Sequence, residues 1–126
     1  MTELLDGTKI QKWDSKNSKI NVLSDFSKYD CVANNGTKNT PALCADLFGD
    51  WREEVIYRTK DNKHLRIFSS AIPTDRRLYS LMHNPKYRLS IVWQNVGYNQ
   101  PAYVDYYLGD KMSNPPNPNI KIVKFK

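Results

Sequence analysis

Glu54-Val-Ile-Tyr-Arg-Thr59, Asp61-Asn-Lys63 and His64-Leu-Arg-Ile-Phe-Ser-Ser70 follow one another near the middle of the chain. The outer two are rich in β-branched and aromatic residues, and the Asp-Asn pair between them has the chemistry of a tight turn. The spacing predicts two antiparallel strands. Upstream, Ala42-Leu-Cys-Ala45 leads through Phe48-Gly-Asp50 into the same run, which extends the reading to a three-stranded meander joined by two tight turns. Nearer the N-terminus, Thr8-Lys-Ile-Gln-Lys-Trp13 and Lys19-Ile-Asn-Val-Leu-Ser24 alternate apolar and polar residues about the turn cluster Asp14 to Ser18. Period-two alternation of this kind predicts a hairpin.

Downstream the pattern changes. Asn84-Pro85 is a helix start, since Asn caps free N–H groups and Pro at the first helical position loses no bond. Tyr87, Ile91 and Val92 follow at helical spacing, so one short helix is expected near 85–93, ended by Gly97 and Pro101. Tyr103-Val-Asp-Tyr-Tyr-Leu108 returns to strand character. Ser113-Asn-Pro-Pro-Asn-Pro-Asn119 holds three prolines in seven residues and reads as a linker. Ile120 to Lys126 reads as an edge strand or the stump of a longer chain. By themselves, short antiparallel strands with a meander suit a propeller blade, a sandwich or an open sheet.

The chain has 126 residues, room for one domain, and its 19 Lys+Arg against 13 Asp+Glu give a net charge of +6. A pI near 9.3 favours an acidic partner. An anionic polysaccharide meets that as well as a nucleic acid, and no RNP-like, zinc or helix-turn-helix signature supports the latter. No apolar run approaches the ~20 residues of a membrane span, and the first residues lack the basic and apolar regions of a signal peptide. The expectation is a cytoplasmic chain, or a piece whose export signal lies elsewhere. Cys31 and Cys44 are too few for a disulfide scaffold, and free thiols are the default.

Three long strings carry a resemblance: Asp46-Leu-Phe-Gly-Asp-Trp-Arg-Glu-Glu-Val-Ile-Tyr-Arg58, Ile72-Pro-Thr-Asp-Arg-Arg-Leu-Tyr-Ser-Leu-Met-His-Asn-Pro85 and Tyr87-Arg-Leu-Ser-Ile-Val-Trp-Gln-Asn-Val-Gly-Tyr-Asn-Gln-Pro101. From about Leu4 to Asp110 the chain resembles polysaccharide lyase family 11, the rhamnogalacturonan lyases. The resemblance implies a mainly β fold of antiparallel meander sheets, the C-terminal blades of a β-propeller. Residues 1–112 would then be a C-terminal segment of that propeller, and 113–126 a Pro/Asn-rich linker and tail. Size agrees, because a blade takes roughly 40–45 residues and closed rings have at least about four blades, so this chain makes a partial ring.

The resemblance further implies a secreted, pectin-degrading endolyase that cleaves rhamnose–galacturonic acid bonds of rhamnogalacturonan I by calcium-assisted β-elimination. A base takes the C5 proton of the uronate while the C4 oxygen leaves, and a bound Ca²⁺ withdraws charge from the uronate carboxylate. Asn34-Asn-Gly-Thr-Lys38 resembles the family's saccharide-contacting loop: Asn35, Gly36 and Thr37 would touch sugar and Lys38 would be the catalytic base. The chemistry is apt, since Gly admits close approach, Asn and Thr serve hydroxyl groups, and a lysine acts as base where burial or nearby cations lower its pKa. The bland alternative is that Asn-Gly is a turn and Lys38 a solvated charge. Asn35-Gly-Thr37 also matches a glycosylation sequon, read as idle.

Tyr98-Asn-Gln-Pro101 is the second element, with Tyr98 implied as a sugar-contacting aromatic and Asn99 as a calcium ligand; core packing and helix capping are the alternatives. Gly97 departs from the family's usual Ala. Asp46, Asp50, Glu53 and Glu54 flank one turn and read as structural before they read as cation ligands. Trp51 and Arg52 are expected to pack between blades, Arg76-Arg77 to be solvated, and His83 to hydrogen-bond structurally. The expected partners are the missing N-terminal blades and, through uncovered sheet edges, a second copy of the chain. The alternative from another class is a non-catalytic module that binds acidic polysaccharide.

Overall fold

The computed structural model describes residues 3–96, 100–109 and 111–124. In chain order its strands are β1 (Leu4–Asp6), β2 (Lys9–Asp14), β3 (Lys19–Asp25), β4 (Cys31–Val32), β5 (Leu43–Ala45), β6 (Glu54–Thr59) and β7 (Leu65–Phe68), followed by one helix, α1 (Pro85–Val92). Gly7 before β2, Ser18 before β3 and Asn62 before β7 each adopt left-handed backbone and reverse the chain. Aspartates lock two of these turns. Asp14 Oδ1 accepts the amides of Lys16 and Asn17 at 3.0 and 3.2 Å, and Asp61 Oδ1 accepts the Lys63 amide at 3.0 Å.

The strands form two antiparallel sheets. One has the order β1-β2-β3, with a register shift between Ile10 and Gln11. The other is built on β6, which pairs with β4, β5 and β7. Val55 faces both Cys44 and Phe68, and Arg58 both Val32 and Leu65, so β4 and β5 share one edge of β6 and β7 takes the other. Thus β5-β6-β7 is the expected meander, but the connection from Asp46 to Glu53 is a long loop where Phe48-Gly-Asp50 predicted a tight turn.

The core lies where the two sheets meet. Phe26, in a 3-10 turn after β3, packs on Phe68 and Tyr57 with ring centroids 4.3 and 5.3 Å apart, and Cys31 and Val55 complete the buried cluster. Tyr57 is wholly buried, and its hydroxyl donates to the Gly7 carbonyl at 2.9 Å, tying the β1–β2 turn to the central strand. Cys31 and Cys44 are free thiols.

The helix begins where expected. Asn84 Oδ1 accepts the Tyr87 amide at 3.0 Å and Pro85 holds the first helical position. Its buried face is Tyr87 and Ser90, however, and Val92 is 76% exposed. The packing follows Tyr87, whose hydroxyl has long-range partners.

Two other segments form no strand. Tyr103–Leu108 forms no strand: Asp105 Oδ1 accepts from Asn84 Nδ2 at 2.6 Å and the Lys86 ammonium lies 5.0 Å from the Tyr103 ring centre. The segment is taken up by the start of α1, and both edges of β6 are already paired. Ile120–Lys124 is no edge strand either, and Phe125 and Lys126 lie outside the described residues.

Candidate functional site: the Asn35–Lys38 loop and its base

Val32 ends β4, and Asn34 and Thr40 exchange two backbone hydrogen bonds, 2.7 and 3.2 Å, as an isolated antiparallel bridge. Everything between them is a loop. Asn35, Gly36, Thr37 and Lys38 are all exposed there, so the structure brings these four expected residues onto one projecting loop. Asn35 has φ 59°, a conformation Asn tolerates better than most residues. A Cβ built on Gly36 meets nothing within 4 Å, so open space lies above that residue.

The loop stands on three supports. Asn39 carbonyl accepts from the Gly7 amide at 3.2 Å, which joins it to the β1–β2 turn. Thr40 Oγ1 donates to Asn95 Oδ1 at 3.2 Å, while Asn95 Nδ2 donates to the Ala42 carbonyl at 2.9 Å. Gln94 then takes the place of a neighbouring strand, receiving the Cys44 amide on Oε1 at 3.0 Å and donating Nε2 to the Cys44 carbonyl at 2.7 Å. The end of α1 is therefore fastened to the loop's root by four side-chain hydrogen bonds. Sequence reading missed Gln94 and Asn95; two amide side chains just past a helix end were the only local signal. Tyr98 and Asn99, three and four residues after Asn95, lie outside the described residues, as does Gly97.

Behind β5 is a buried polar cluster. The Tyr87 hydroxyl donates to Glu53 Oε1 at 2.6 Å and accepts the Asp46 amide at 2.9 Å. Asp46 Oδ2 accepts from Ser80 Oγ and the Leu81 amide at 2.9 and 2.7 Å, and Glu54 Oε2 accepts the amides of Leu47 and Phe48 at 2.9 and 3.1 Å. These carboxylates fold the Asp46–Glu53 loop. Although Glu53 as a residue is exposed, its carboxyl ends against Tyr87 and the Cys44 thiol, and burial pushes its pKa up, with Asp46 and Glu54 adding to the rise. Burial, with Glu53 beside it, also pushes the Cys44 thiol up, which makes it a poor nucleophile.

Calcium takes six to eight oxygen ligands. Asp50 is paired with Arg52, the bonds above occupy Asp46 Oδ2, Glu53 and Glu54 Oε2, and among the described residues Asp46 Oδ1 and Glu54 Oε1 are the side-chain oxygens buried without a partner. Among the described residues no group of three or more His, Cys, Asp or Glu is arranged to hold a metal ion, so these residues do not fit Ca²⁺ by themselves. Arg76 and Arg77 are exposed, as expected.

Comparison with known proteins places the chain in a family. Residues 1–118 match the family model described as rhamnogalacturonan lyase family 11, C-terminal domain. The chain is 52% identical over 120 residues to the rhamnogalacturonan endolyase YesW of Bacillus subtilis (strain 168), covering 95% of this chain and 19% of that one. It is 48% identical to the exolyase YesX of the same organism over 125 residues, covering 96% and 20%. Its fold superimposes on part of the Bacillus licheniformis rhamnogalacturonan lyase PL11 with a TM-score of 0.88 at 52% identity, over 95% of this chain and 20% of that one. The chain spans about a fifth of the length of the relatives it matches. With a family model matched over 118 of its 126 residues, the chain belongs to rhamnogalacturonan lyase family 11, as a C-terminal domain of that family.

Proposed function

We propose that this chain supplies part of the saccharide cleft of a rhamnogalacturonan endolyase and is catalytic only with the remaining four-fifths of such an enzyme. The observation that carries the reading is the Asn35–Lys38 loop: exposed, open above Gly36, and braced by the end of α1. Asn35 and Thr37 present amide and hydroxyl groups to sugar hydroxyls, Gly36 lets the backbone approach, and Lys38 serves as base or charge stabiliser at the C5 proton. Tyr98 adds an aromatic platform from a segment three residues beyond the amide that braces the loop.

On this reading residues 1–112 are C-terminal blades of a β-propeller whose other blades cover the sheet edges left open here, and 113–126 are a linker and tail. The substrate is rhamnogalacturonan I, and the enzyme is secreted because its polymeric substrate stays outside the cell. Calcium, when bound, would polarise the uronate carboxylate. Asn99 is the one ligand this chain is proposed to give, and the others come from outside it.

Binding without turnover is the second reading, favoured by the chain's spanning about a fifth of the length of the lyases it matches. Titration of the chain with rhamnogalacturonan oligosaccharides at low and high salt tests saccharide binding itself. Weak binding that falls with salt is expected, because exposed charges are screened over ~8 Å at physiological ionic strength. Loop amides that do not respond would contradict the reading.

A further inference from the structure

A concave surface lies between the turn at residues 49–52 and the extended segment 70–78, and none of the Asn35–Lys38 loop lines it. Its volume is about 440 Å³, within the range of small-molecule sites. Two side chains hold the walls together. The Arg52 guanidinium donates to the Ile72 carbonyl at 2.7 Å while pairing with Asp50, and the Trp51 indole N–H donates to the Arg76 carbonyl at 3.3 Å. Trp51 does so from φ 69°, a backbone conformation bulky residues seldom hold. The cavity is thus a held shape and not a fold of slack chain.

Its charge is unbalanced. Arg52, Arg76 and Arg77 line it together with Asp50. Asp50 is matched by Arg52, and the side chains of Arg76 and Arg77 make no hydrogen bond or ion pair among the described residues. Two arginines without a side-chain partner among the described residues thus share the lining with the Trp51 indole. A guanidinium fork fits a carboxylate in two parallel bonds. An indole offers a flat apolar surface, which suits the C–H face of a pyranose. The Thr74 hydroxyl, also in the lining, serves a sugar hydroxyl.

We propose that this cavity binds a carboxylate-bearing sugar, a hexuronate unit, as a site separate from the Asn35–Lys38 loop. The choice of a hexuronate over other carboxylates rests on the rhamnogalacturonan reading; the anion-binding geometry does not. One polymer chain would then be gripped at two places, and the cavity would add affinity without chemistry.

The test is an NMR titration of the ¹⁵N-labelled 126-residue chain with digalacturonate, rhamnose or inorganic phosphate at matched ionic strength, reading the Trp51 indole N–H and the amides of residues 34–40 separately. Digalacturonate should shift the Trp51 signal saturably, rhamnose should leave it in place over the same range, and phosphate should move it only at higher concentration. The double variant Arg76→Gln/Arg77→Gln should keep its melting temperature and bind at least about tenfold more weakly, the loss of one charge-assisted hydrogen bond. A Trp51 signal unmoved by digalacturonate, moved equally by phosphate, or moved unchanged in the double variant would overturn the proposal. Shifts at 34–40 without Trp51 overturn the cavity and leave the loop reading standing. Shifts at Trp51 without 34–40 support the cavity and count against the loop.

Discussion

Gly36 shows what a single residue tells about function here. It does not hold a positive φ, and a Cβ at that position meets nothing within 4 Å, so the fold does not require glycine there. Gly36→Ala should keep the chain's stability or raise it by up to ~1 kcal/mol, through lower entropy of the unfolded chain. The added methyl should still weaken oligosaccharide binding, because the space it fills is where the sugar is proposed to approach. Thermal melting and titration of one sample decide it, and unchanged affinity would remove Gly36 from the site. Residues with local partners were legible in sequence: Asn84 as a cap, Asp14 and Asp61 as turn formers. The partners of Gln94, Asn95 and Asp46 were not, since they lie 34 to 55 residues away and leave no short-range pattern.

At the scale of elements, the hairpin β2–β3, the meander β5-β6-β7 and helix α1 follow from periodicity and capping, which are local properties. Strand formation at Tyr103–Leu108 needed a free edge, which composition does not reveal. The docking of α1 on the β5–β6 loop has a pH signature. Burial raises the Glu53 pKa from the ordinary 4.5, so the folded chain keeps that proton to higher pH than the unfolded chain does. The stability it contributes is full below 4.5 and is lost as pH rises through the folded value. Glu53→Gln keeps an acceptor for the Tyr87 hydroxyl and does not ionise. Its melting temperature relative to the parent should therefore rise with pH across that interval and level off above it. A constant difference from acid to neutral pH would show that Glu53 is not held protonated by burial.

The whole molecule is small for the apolar surface it carries. Alternation in Lys19–Ser24 predicts one buried face, yet Ile20, Val22 and Leu23 are each more than half exposed and Trp13 is 49% exposed. Leu65 and Ile67 on β7 are also open. The chain spans about a fifth of its relatives' length, and on the proposed propeller reading these faces would be covered by parts of such a lyase outside these residues. Self-association at high concentration is the expected consequence, visible by sedimentation as a mass that grows with concentration; a monomer throughout would mean that these faces and edges are protected in some other way.

Transplanting the chain into a complete enzyme tests the central claim most directly. Its residues would replace the matching 120-residue segment of the Bacillus subtilis endolyase, and release of unsaturated uronate would be followed in the ultraviolet. The chimera should turn over rhamnogalacturonan, and the chain alone should not. Lys38→Met in the chimera should lower kcat by ~10²–10⁴-fold with little change in KM, because a group acting mainly in the transition state appears in kcat. A folded chimera without activity, a Lys38→Met chimera that keeps its kcat, or turnover by the 126 residues alone would contradict the account.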